Sequence, residues 1–273
     1  MSHARFHIGI DLGGTKIEGI LMDDQFQELE RLRRPTEAQR GYEVILDNIA
    51  AIVQTLVQQV QGAEYTLGMG IPGIEDPESG LVRNANTTVL IGKPLGRDLG
   101  ALLNHSIQIE NDANCFTLAE CRSGATRNFP LVFGVIMGTG CGGGLCINGR
   151  VRRGKHGISG EWGHVSMDPD GVRCYSGING CIESMISGSG VAASFERTYH
   201  HPKAMAEIVS GWREADPQCS AHMQQFFADF GRAMGGLINV LDPDAIVIGG
   251  GLSNIPELYS LGIQAIGPWL FHD

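Results

Sequence analysis

The stretch DLGGTK, residues 11–16, lies between two segments of strand character and decides the predicted fold. Residues 6–11 (FHIGID) form a short apolar run, and residues 16–22 (KIEGILM) alternate between apolar and polar side chains. Both patterns are typical of β-strands, and the glycines between them indicate a turn. The sequence therefore predicts a hairpin with a glycine-rich tip. The N–H groups of such a tip can converge on an anion, because no side chain blocks its approach.

The second half of the chain repeats this pattern. Residues 130–150 (PLVFGVIMGTGCGGGLCINGR) predict a strand, a glycine turn and a second strand that ends at Asn148-Gly149, a type I′ hairpin signal. Apolar periodicity predicts the other elements: helices over 42–60, 113–123, 221–241 and 254–266, and strands over 65–73, 106–112 and 245–251. Two halves that open alike predict a duplicated α/β unit with a ligand cleft between its lobes and a join near residues 123–130.

Composition narrows the class of protein. The 273 residues are 42% hydrophobic, which is enough for one large core or two linked ones, and the length favours two domains. The formal net charge of -10 disfavours nucleic acid as a partner. No apolar run reaches the roughly 18 residues of a membrane span, and the N-terminus lacks a signal-peptide pattern. We expect a cytoplasmic protein that binds neither membranes nor nucleic acid. Its seven cysteines then read as reduced thiols.

The two glycine turns leave alternatives open. Each could be a plain hairpin tip, but their equivalent places and their threonines, Thr15 and Thr139, favour a polyphosphate ligand. Gly138, Gly140 and Gly143 also satisfy the G-x-G-x-x-G fingerprint of dinucleotide-binding proteins. That fingerprint opens a helix, whereas the residues that follow it here alternate like a strand. A dehydrogenase is therefore the weaker interpretation.

Seven motifs together carry a family resemblance. They are DLGGTK, GIPG (70–73), ENDAN (110–114), GTGCGGG (138–144), GEWGH (160–164), GCIE (180–183) and LDPDAIVIGGGLSN (241–254). In this order they resemble the bacterial sugar kinases of the ROK family over nearly the whole chain. Residues 84–99 are most similar to the fructokinase and mannokinase branch, with the N-acetylglucosamine kinases next.

The resemblance implies the actin-like ATPase (ribonuclease-H-like) fold, with two α/β lobes over residues 1–125 and 126–273 and with ATP and Mg²⁺ in the cleft. We also expect a homodimer. Some family members are repressors with an N-terminal helix-turn-helix, for which the residues before the first strand leave no room. Family chains usually continue by a further strand and helix, so the second lobe is expected either to be truncated at its C-terminus or to close its fold differently.

Asp112 is the candidate catalytic residue. Transfer of a phosphoryl group to a sugar hydroxyl needs a carboxylate that accepts the hydroxyl proton, and Asp112 lies where a predicted strand ends. An Asn-Asp pair before a helix is also a common cap, and the residues alone favour that structural role. The resemblance of the ENDAN motif instead implies that Asp112 is the general base.

The resemblance implies the remaining site residues as well. Those at the sugar are Gly73, Asn84, Asn86, Asn111, Asp112, Glu161, His164 and Glu183. Those at ATP are Asp11 (through Mg²⁺), Gly13, Gly14, Thr15, Lys16, Gly138, Thr139, Gly140, Gly249, Gly250 and Gly251. Structural alternatives exist: Glu161 could be a surface charge, His164 a core histidine and Lys16 a solvated strand residue.

The turn CYSGINGC, residues 174–181, resembles the zinc turn of the family. The resemblance implies zinc bound by His164, Cys174, Cys181 and a middle cysteine, but Ser176 stands at that position. A neutral hydroxyl is a poor zinc ligand, so a zinc site and a metal-free turn both stay open.

These inferences predict an ATP-dependent hexose kinase that phosphorylates a primary hydroxyl. Fructose or mannose is the first expected substrate, and N-acetylglucosamine or glucose is the next. A non-catalytic, sugar-responsive binding protein is the alternative from another class.

Overall fold

The computed structural model describes residues 5–271, and its internal contacts divide the chain into two units. The first unit runs to Cys115 and includes Gly154–Ile158, and the second contains Phe116–Arg153 and the residues from Ser159 on. Residues 1–4, where we expect neither a signal peptide nor a DNA-binding segment, lie outside the described residues.

The first unit is built on a five-stranded sheet of order β3-β2-β1-β4-β7. Its elements are β1 (Phe6–Leu12), β2 (Lys16–Met22), β3 (Glu28–Pro35), α1 (Tyr42–Gln59), β4 (Tyr65–Ile71), β5 (Ile74–Glu75), β6 (Val82–Arg83), α2 (Leu95–Leu103) and β7 (Gln108–Asn111). Strands β1 and β2 pair antiparallel, which confirms the hairpin predicted around DLGGTK. Strands β1, β4 and β7 run parallel, and β5 and β6 form a separate short ladder.

Helix α1 supplies much of the core of this unit. Its buried face includes Ile45, Ile49 and Leu56, each 0% exposed, as the apolar periodicity of residues 42–60 predicts. Gly19 of β2 permits the contact, because a Cβ there would overlap Ile52. The helix therefore packs directly on the hairpin and fixes its position in the sheet.

The second unit contains a four-stranded sheet of order β10-β9-β8-β11 and most of the helices. Helix α3 (Asp112–Arg122) begins in the first unit and continues into the second, and the elements that follow it are β8 (Leu131–Met137), β9 (Cys141–Ile147), β10 (Arg150–Val151), α4 (Ile182–Ile186), α5 (Gly188–Tyr199), α6 (Met205–Arg213), α7 (Pro217–Leu241), β11 (Ala245–Gly249) and α8 (Leu261–Ile266). The residues after the glycine fingerprint form β9 and not a helix, which contradicts the dinucleotide interpretation. Asn148 and Gly149 both have positive φ, 51° and 70°, as a type I′ turn requires.

Two predicted helix bounds were wrong. Helix α7 starts at Pro217, before the predicted 221, because Asp216 caps it by accepting a hydrogen bond from the N–H of Cys219. The helix predicted over 254–266 is broken into a 3₁₀ turn, Pro256–Tyr259, and α8. The break falls at Ser260, whose φ of −126° and ψ of −71° are not helical. Across residues 5–271, no helix is both long enough and apolar enough to cross a bilayer.

Candidate active site

Three parallel strands of the first unit bring the predicted acidic residues to one edge of the sheet. Because β1, β4 and β7 run in the same direction, their carboxyl ends meet at that edge. Asp11 of β1 is paired with Gly70 of β4, and Ile71 of β4 is paired with Asn111 of β7. Asp112 follows directly as the first residue of α3. The predicted Mg²⁺ ligand, one predicted sugar ligand and the predicted base therefore share this edge.

Asn111 serves as the cap of α3. Its Oδ1 accepts a hydrogen bond from the N–H of Asn114 at 3.2 Å, and its Nδ2 donates to the carbonyl oxygen of Gly73 at 3.2 Å. The Oδ1 of Asp112 accepts a hydrogen bond from the N–H of Ala113 at 2.8 Å, and the side chain of Asn111 also donates a hydrogen bond to its carboxylate. Asn111 thus occupies the cap position of α3, while Asp112 accepts one further N–H of the first turn, so the catalytic and the structural interpretations of Asp112 both stay open.

The carboxyl group of Asp112 is disposed to take up a proton. Nearby protein atoms remove part of its hydration and raise its pKa above the ordinary aspartate value, and the negative charge of Asp11 raises it further. The N–H of Ala113 opposes this shift. Burial also raises the pKa of Asp11, as does the charge of Glu18. Two carboxyl groups that each disfavour ionisation are typical of a catalytic site.

The hairpin tip is held by a residue that the sequence did not identify. Thr36 is 0% exposed, its hydroxyl donates to the carbonyl oxygen of Gly13 at 2.6 Å, and its N–H donates to that of Thr15 at 2.9 Å. Its only sequence signal is a threonine after Pro35 at the end of an edge strand. The side chain of Lys16 is 57% exposed and pairs with Glu18 at 3.5 Å, and its positive charge also lowers the pKa of Asp11.

Gly73, Asn84 and Asn86 lie together in two adjoining turns. A Cβ on Gly73 would lie 2.9 Å from the Cα of Ala85, so only glycine allows this approach. The N–H of Asn86 donates to the carbonyl oxygen of Pro72 at 3.1 Å, and Asn84 has a positive φ of 54°. The side chains of Asn84 and Asn86 are exposed. The fold thus groups these predicted sugar ligands and, through Gly73, links them to Asn111.

Thr87, which the sequence did not single out, is buried beside the hairpin tip. It is 6% exposed, and its hydroxyl oxygen makes no hydrogen bond with any described residue. That oxygen lies 3.8 Å from the place where a Cβ on Gly14 would stand. A buried hydroxyl without a partner is unusual and marks this side of the tip as a polar position.

The second glycine turn, Gly138–Gly140, is hydrogen-bonded to the start of α5. The carbonyl oxygen of Gly138 accepts the N–H of Gly188 at 2.8 Å, and the carbonyl oxygen of Thr139 accepts the hydroxyl of Ser189 at 2.6 Å. The N–H of Gly138 donates to the carbonyl oxygen of Gly140 at 2.9 Å. The start of a helix carries partial positive charge, so this contact adds to the attraction of the turn for an anion.

A cavity of about 720 Å³ in the second unit joins two of the predicted ATP segments. Gly138, Thr139 and Gly251 line it together, and its volume lies within the usual range for small-molecule sites. Gly250 has a positive φ of 83°, and a Cβ there would overlap the carbonyl oxygen of Met137. The apolar side chains of the cavity, which the sequence did not identify, include Ala192, Met205, Val209, Leu252 and Ile255. A polar end beside an apolar wall fits a phosphate and a purine base.

The three predicted sugar ligands of the second unit lie near β9. Glu161 precedes the 3₁₀ turn Trp162–His164, whose Trp162 donates from Nε1 to the carbonyl oxygen of Gly142 at 2.9 Å. Glu183 lies in the first turn of α4, and its Oε2 accepts the N–H of Cys141 at 3.0 Å. Its Oε1 lies 3.9 Å from the sulfur of Cys174. Neither Glu161, which is half-buried, nor Glu183 is a simple surface charge.

His164, Cys174 and Cys181 form the one group of potential metal ligands found among the described residues, with ligand atoms within 4.8 Å of one another. The Nδ1 of His164 lies 3.7 Å from the sulfur of Cys174, and the hydroxyl oxygen of Ser176 lies 3.7 Å from that of Cys181. Zinc bonds of about 2.3 Å to sulfur and about 2.0 Å to nitrogen or oxygen give tetrahedral ligand separations of about 3.5 Å. The donor set therefore fits zinc, with Ser176 as its weakest member.

Comparison with known proteins shows the family to which the chain belongs. The profile of the ROK family matches residues 7–272. The chain belongs to the ROK family. The N-acetyl-D-glucosamine kinase of Escherichia coli (strain K12) is 37% identical over 262 residues, which cover 92% of this chain and 86% of the relative. The chain is accordingly an ATP-dependent sugar kinase of this family.

Solved structures of ROK proteins share the architecture. The ROK hexokinase from Thermus thermophilus superposes with a TM-score of 0.84 at 27% identity, over 97% of this chain and 88% of that one. A ROK glucokinase from Streptomyces griseus, solved with glucose and AMPPNP, gives 0.78 at 27% identity over 98% and 90%. These similarities confirm the predicted actin-like ATPase fold with two lobes.

Proposed function

We propose that this ROK kinase transfers the γ-phosphoryl group of ATP to the primary hydroxyl of a hexose, with Asp112 as the general base. The observation that carries the proposal is the placement of Asp112 at the sheet edge beside Asp11, with the helix cap supplied by Asn111. The raised pKa of Asp112 supports the role, because a carboxylate with a higher pKa accepts the hydroxyl proton more readily.

Asp11 would hold Mg²⁺, directly or through water. No described residue donates a hydrogen bond to its carboxylate, and carboxylate oxygens are the ligands that Mg²⁺ prefers. Bound Mg²⁺ supplies positive charge to the phosphate oxygens. The N–H groups of Gly14, Thr15, Thr139 and Gly140 would cradle the phosphates. Gly13 and Gly138 would close the two turns, because the N–H of Gly13 donates to the carbonyl oxygen of Lys16 at 3.0 Å and that of Gly138 to the carbonyl oxygen of Gly140. The turn Gly249–Gly251 would face the adenosine.

The sugar would be bound by side chains that form hydrogen bonds with its hydroxyl groups. These residues are Asn84, Asn86, Asn111, Glu161, His164 and Glu183, with Gly73 shaping the turn. Carboxylates and amides suit this task because they accept and donate hydrogen bonds in pairs. Fructose or mannose is the first proposed substrate, from the likeness of residues 84–99. N-Acetylglucosamine is the second, supported by the relative at 37% identity.

A coupled ADP-release assay over a sugar panel tests the proposal. We expect ATP turnover that depends on sugar, with kcat/KM for fructose or mannose at least tenfold above that for glucose. N-Acetylglucosamine as the best substrate would overturn the first choice and establish the second. Binding of a sugar by calorimetry without any ADP release would instead establish the non-catalytic sensor.

The Ser176→Cys variant tests the zinc site. A third thiolate would complete the four good donors of a structural site, so we expect one zinc per chain that resists chelator. The wild type should hold zinc substoichiometrically or lose it readily. Elemental analysis before and after chelator treatment distinguishes the two. Full, resistant zinc in the wild type would show that Ser176 is no defect, and metal-free protein in both cases would show that the turn holds no zinc.

Other expectations stay predictions. They are the homodimer, the cytoplasmic location, the absence of nucleic-acid and membrane partners, and the lobe boundary between residues 125 and 126. Limited proteolysis tests the lobe boundary. Stable fragments that end near residue 125 would support the predicted boundary, and fragments that end near Cys115 would support the division by internal contacts.

A further inference from the structure

The hydroxyl of Thr87 is a buried polar group for which the proposed reaction has so far given no role. Its backbone is held in place, because the carbonyl oxygen of Thr87 accepts the N–H of Leu90 at 3.0 Å and Leu90 is 0% exposed. Thr87 directly precedes a 3₁₀ turn, yet its side chain does not cap that turn. No described residue forms a hydrogen bond with its hydroxyl oxygen. Such a buried hydroxyl lowers stability, because it has lost its contacts with water and gained none in their place.

The space between Thr87 and the hairpin tip is bounded by few protein atoms. The Oγ1 of Thr87 lies 3.8 Å from the place where a Cβ on Gly14 would stand, and no other described atom outside residues 13–15 comes within 4 Å of that place. The N–H groups of Gly14 and Thr15 donate to no acceptor among the described residues. A phosphoryl oxygen only accepts hydrogen bonds, whereas a sugar hydroxyl also donates one, so this group of donors favours phosphate.

We propose that Thr87 is a further catalytic residue, whose hydroxyl donates a hydrogen bond to an oxygen of the phosphoryl group in transfer. This role rests on the proposed kinase reaction and adds a side-chain donor to the N–H groups of Gly14 and Thr15. The charge of the transferred group is spread over three oxygens in the transition state, and a buried donor stabilises it without competition from water. An unpartnered hydroxyl in the free protein is the kind of local irregularity that functional sites contain.

Thr87→Val tests the proposal, because valine keeps the shape of the side chain and removes the hydroxyl. We expect kcat for sugar-dependent ADP release to fall roughly 10- to 100-fold, the range for a hydrogen bond to a charged group. The affinity for MgADP, which lacks the γ-phosphoryl group, and the affinity for sugar alone should stay unchanged in calorimetry. The melting temperature should equal or exceed that of the wild type, because the variant buries no unpartnered hydroxyl. A threonine with only a structural role would instead give a lower melting temperature and a normal kcat.

Three further variants complete the test. Thr87→Ser keeps the hydroxyl and should retain most of the turnover. Thr88→Val makes the same exchange at the exposed neighbour and should behave like the wild type. Gly14→Ala places a methyl group in the space itself. Its distance of 3.8 Å from Thr87 causes no overlap in the free protein, so we expect kcat to fall and the melting temperature to be kept.

The measurements separate this role from the kinase reaction on which it rests. Unchanged kcat in Thr87→Val or in Gly14→Ala, with an active wild type, would overturn the role of Thr87 and leave the kinase reaction standing. A loss of sugar affinity equal to the loss of kcat/KM would also overturn it, because the hydroxyl would then bind the sugar. A wild type that releases no ADP with any sugar of the panel would overturn the kinase reaction and the role of Thr87 together.

Discussion

Replacement of Asp112 by asparagine is expected to lower turnover by roughly 10² to 10⁴, the range of general-base catalysis, while sugar affinity stays nearly unchanged. An asparagine side chain has the same shape and can still accept the hydrogen bond from the N–H of Ala113, but it cannot accept the proton of the sugar hydroxyl. Steady-state ADP release gives kcat, and calorimetry with sugar alone gives the binding constant. Wild-type turnover in the variant would remove Asp112 from the mechanism.

Stability provides the control for the Asp112→Asn variant. The pKa of Asp112 is raised in the folded protein, so its ionised form costs stability at neutral pH, and that cost disappears as the pH falls through this pKa. The variant should therefore be at least as stable as the wild type near pH 7, and the difference should vanish in acid. A variant less stable than the wild type near pH 7 would contradict the raised pKa of Asp112.

Replacement of Asp11 by asparagine is expected to lower kcat by about 100-fold and to raise the KM for MgATP. The loss of one carboxylate weakens the hold on a cation whose charge stabilises the transition state by several kcal/mol. Binding of Mn²⁺ in the presence of ADP, followed by electron paramagnetic resonance, should weaken in parallel. This second measurement separates a metal ligand from a residue that only shapes the hairpin tip.

Asp24→Asn is the matched control for Asp11→Asn. Asp24 is an exposed aspartate at the other end of β2, in the turn that leads to β3, and the change removes the same charge from the same sheet. It should leave kcat, KM and Mn²⁺ binding unchanged. Equal losses in both variants would point to a general effect of net charge, and an active Asp11→Asn enzyme with normal Mn²⁺ binding would exclude Asp11 as a metal ligand.

The parts of the site that the sequence predicted are those with local signals. The hairpin around DLGGTK, the strand that ends at Asn111 and the turn at Asn148-Gly149 follow from alternation and from glycine chemistry within a few residues. Family motifs then assigned roles to Asp11 and Asp112, and the parallel order of the strands shows how two distant segments reach one edge.

The parts that the sequence missed depend on distant packing. Thr36 holds the hairpin tip across the sheet edge, and its side chain is an ordinary threonine until the fold buries it. Met205 and Val209 form a cavity wall because α6 packs beside the turn at Gly251, which no pattern within α6 indicates. No pattern within the stretch CYSGINGC indicates a role for Tyr175, so its contact with His164 is visible only when the turn is folded.

The carboxylate of Glu183 contacts two turns: the turn of residues 174–181, where zinc is proposed, and the end of the turn Gly138–Gly140, where phosphate is proposed. One oxygen accepts the N–H of Cys141, directly after Gly140, and the other lies 3.9 Å from the sulfur of Cys174. A single short side chain cannot shift for one neighbour without changing its contact with the other. Zinc and nucleotide are therefore expected to be thermodynamically linked, and linkage is reciprocal: the factor by which zinc changes nucleotide affinity equals the factor by which nucleotide changes zinc affinity.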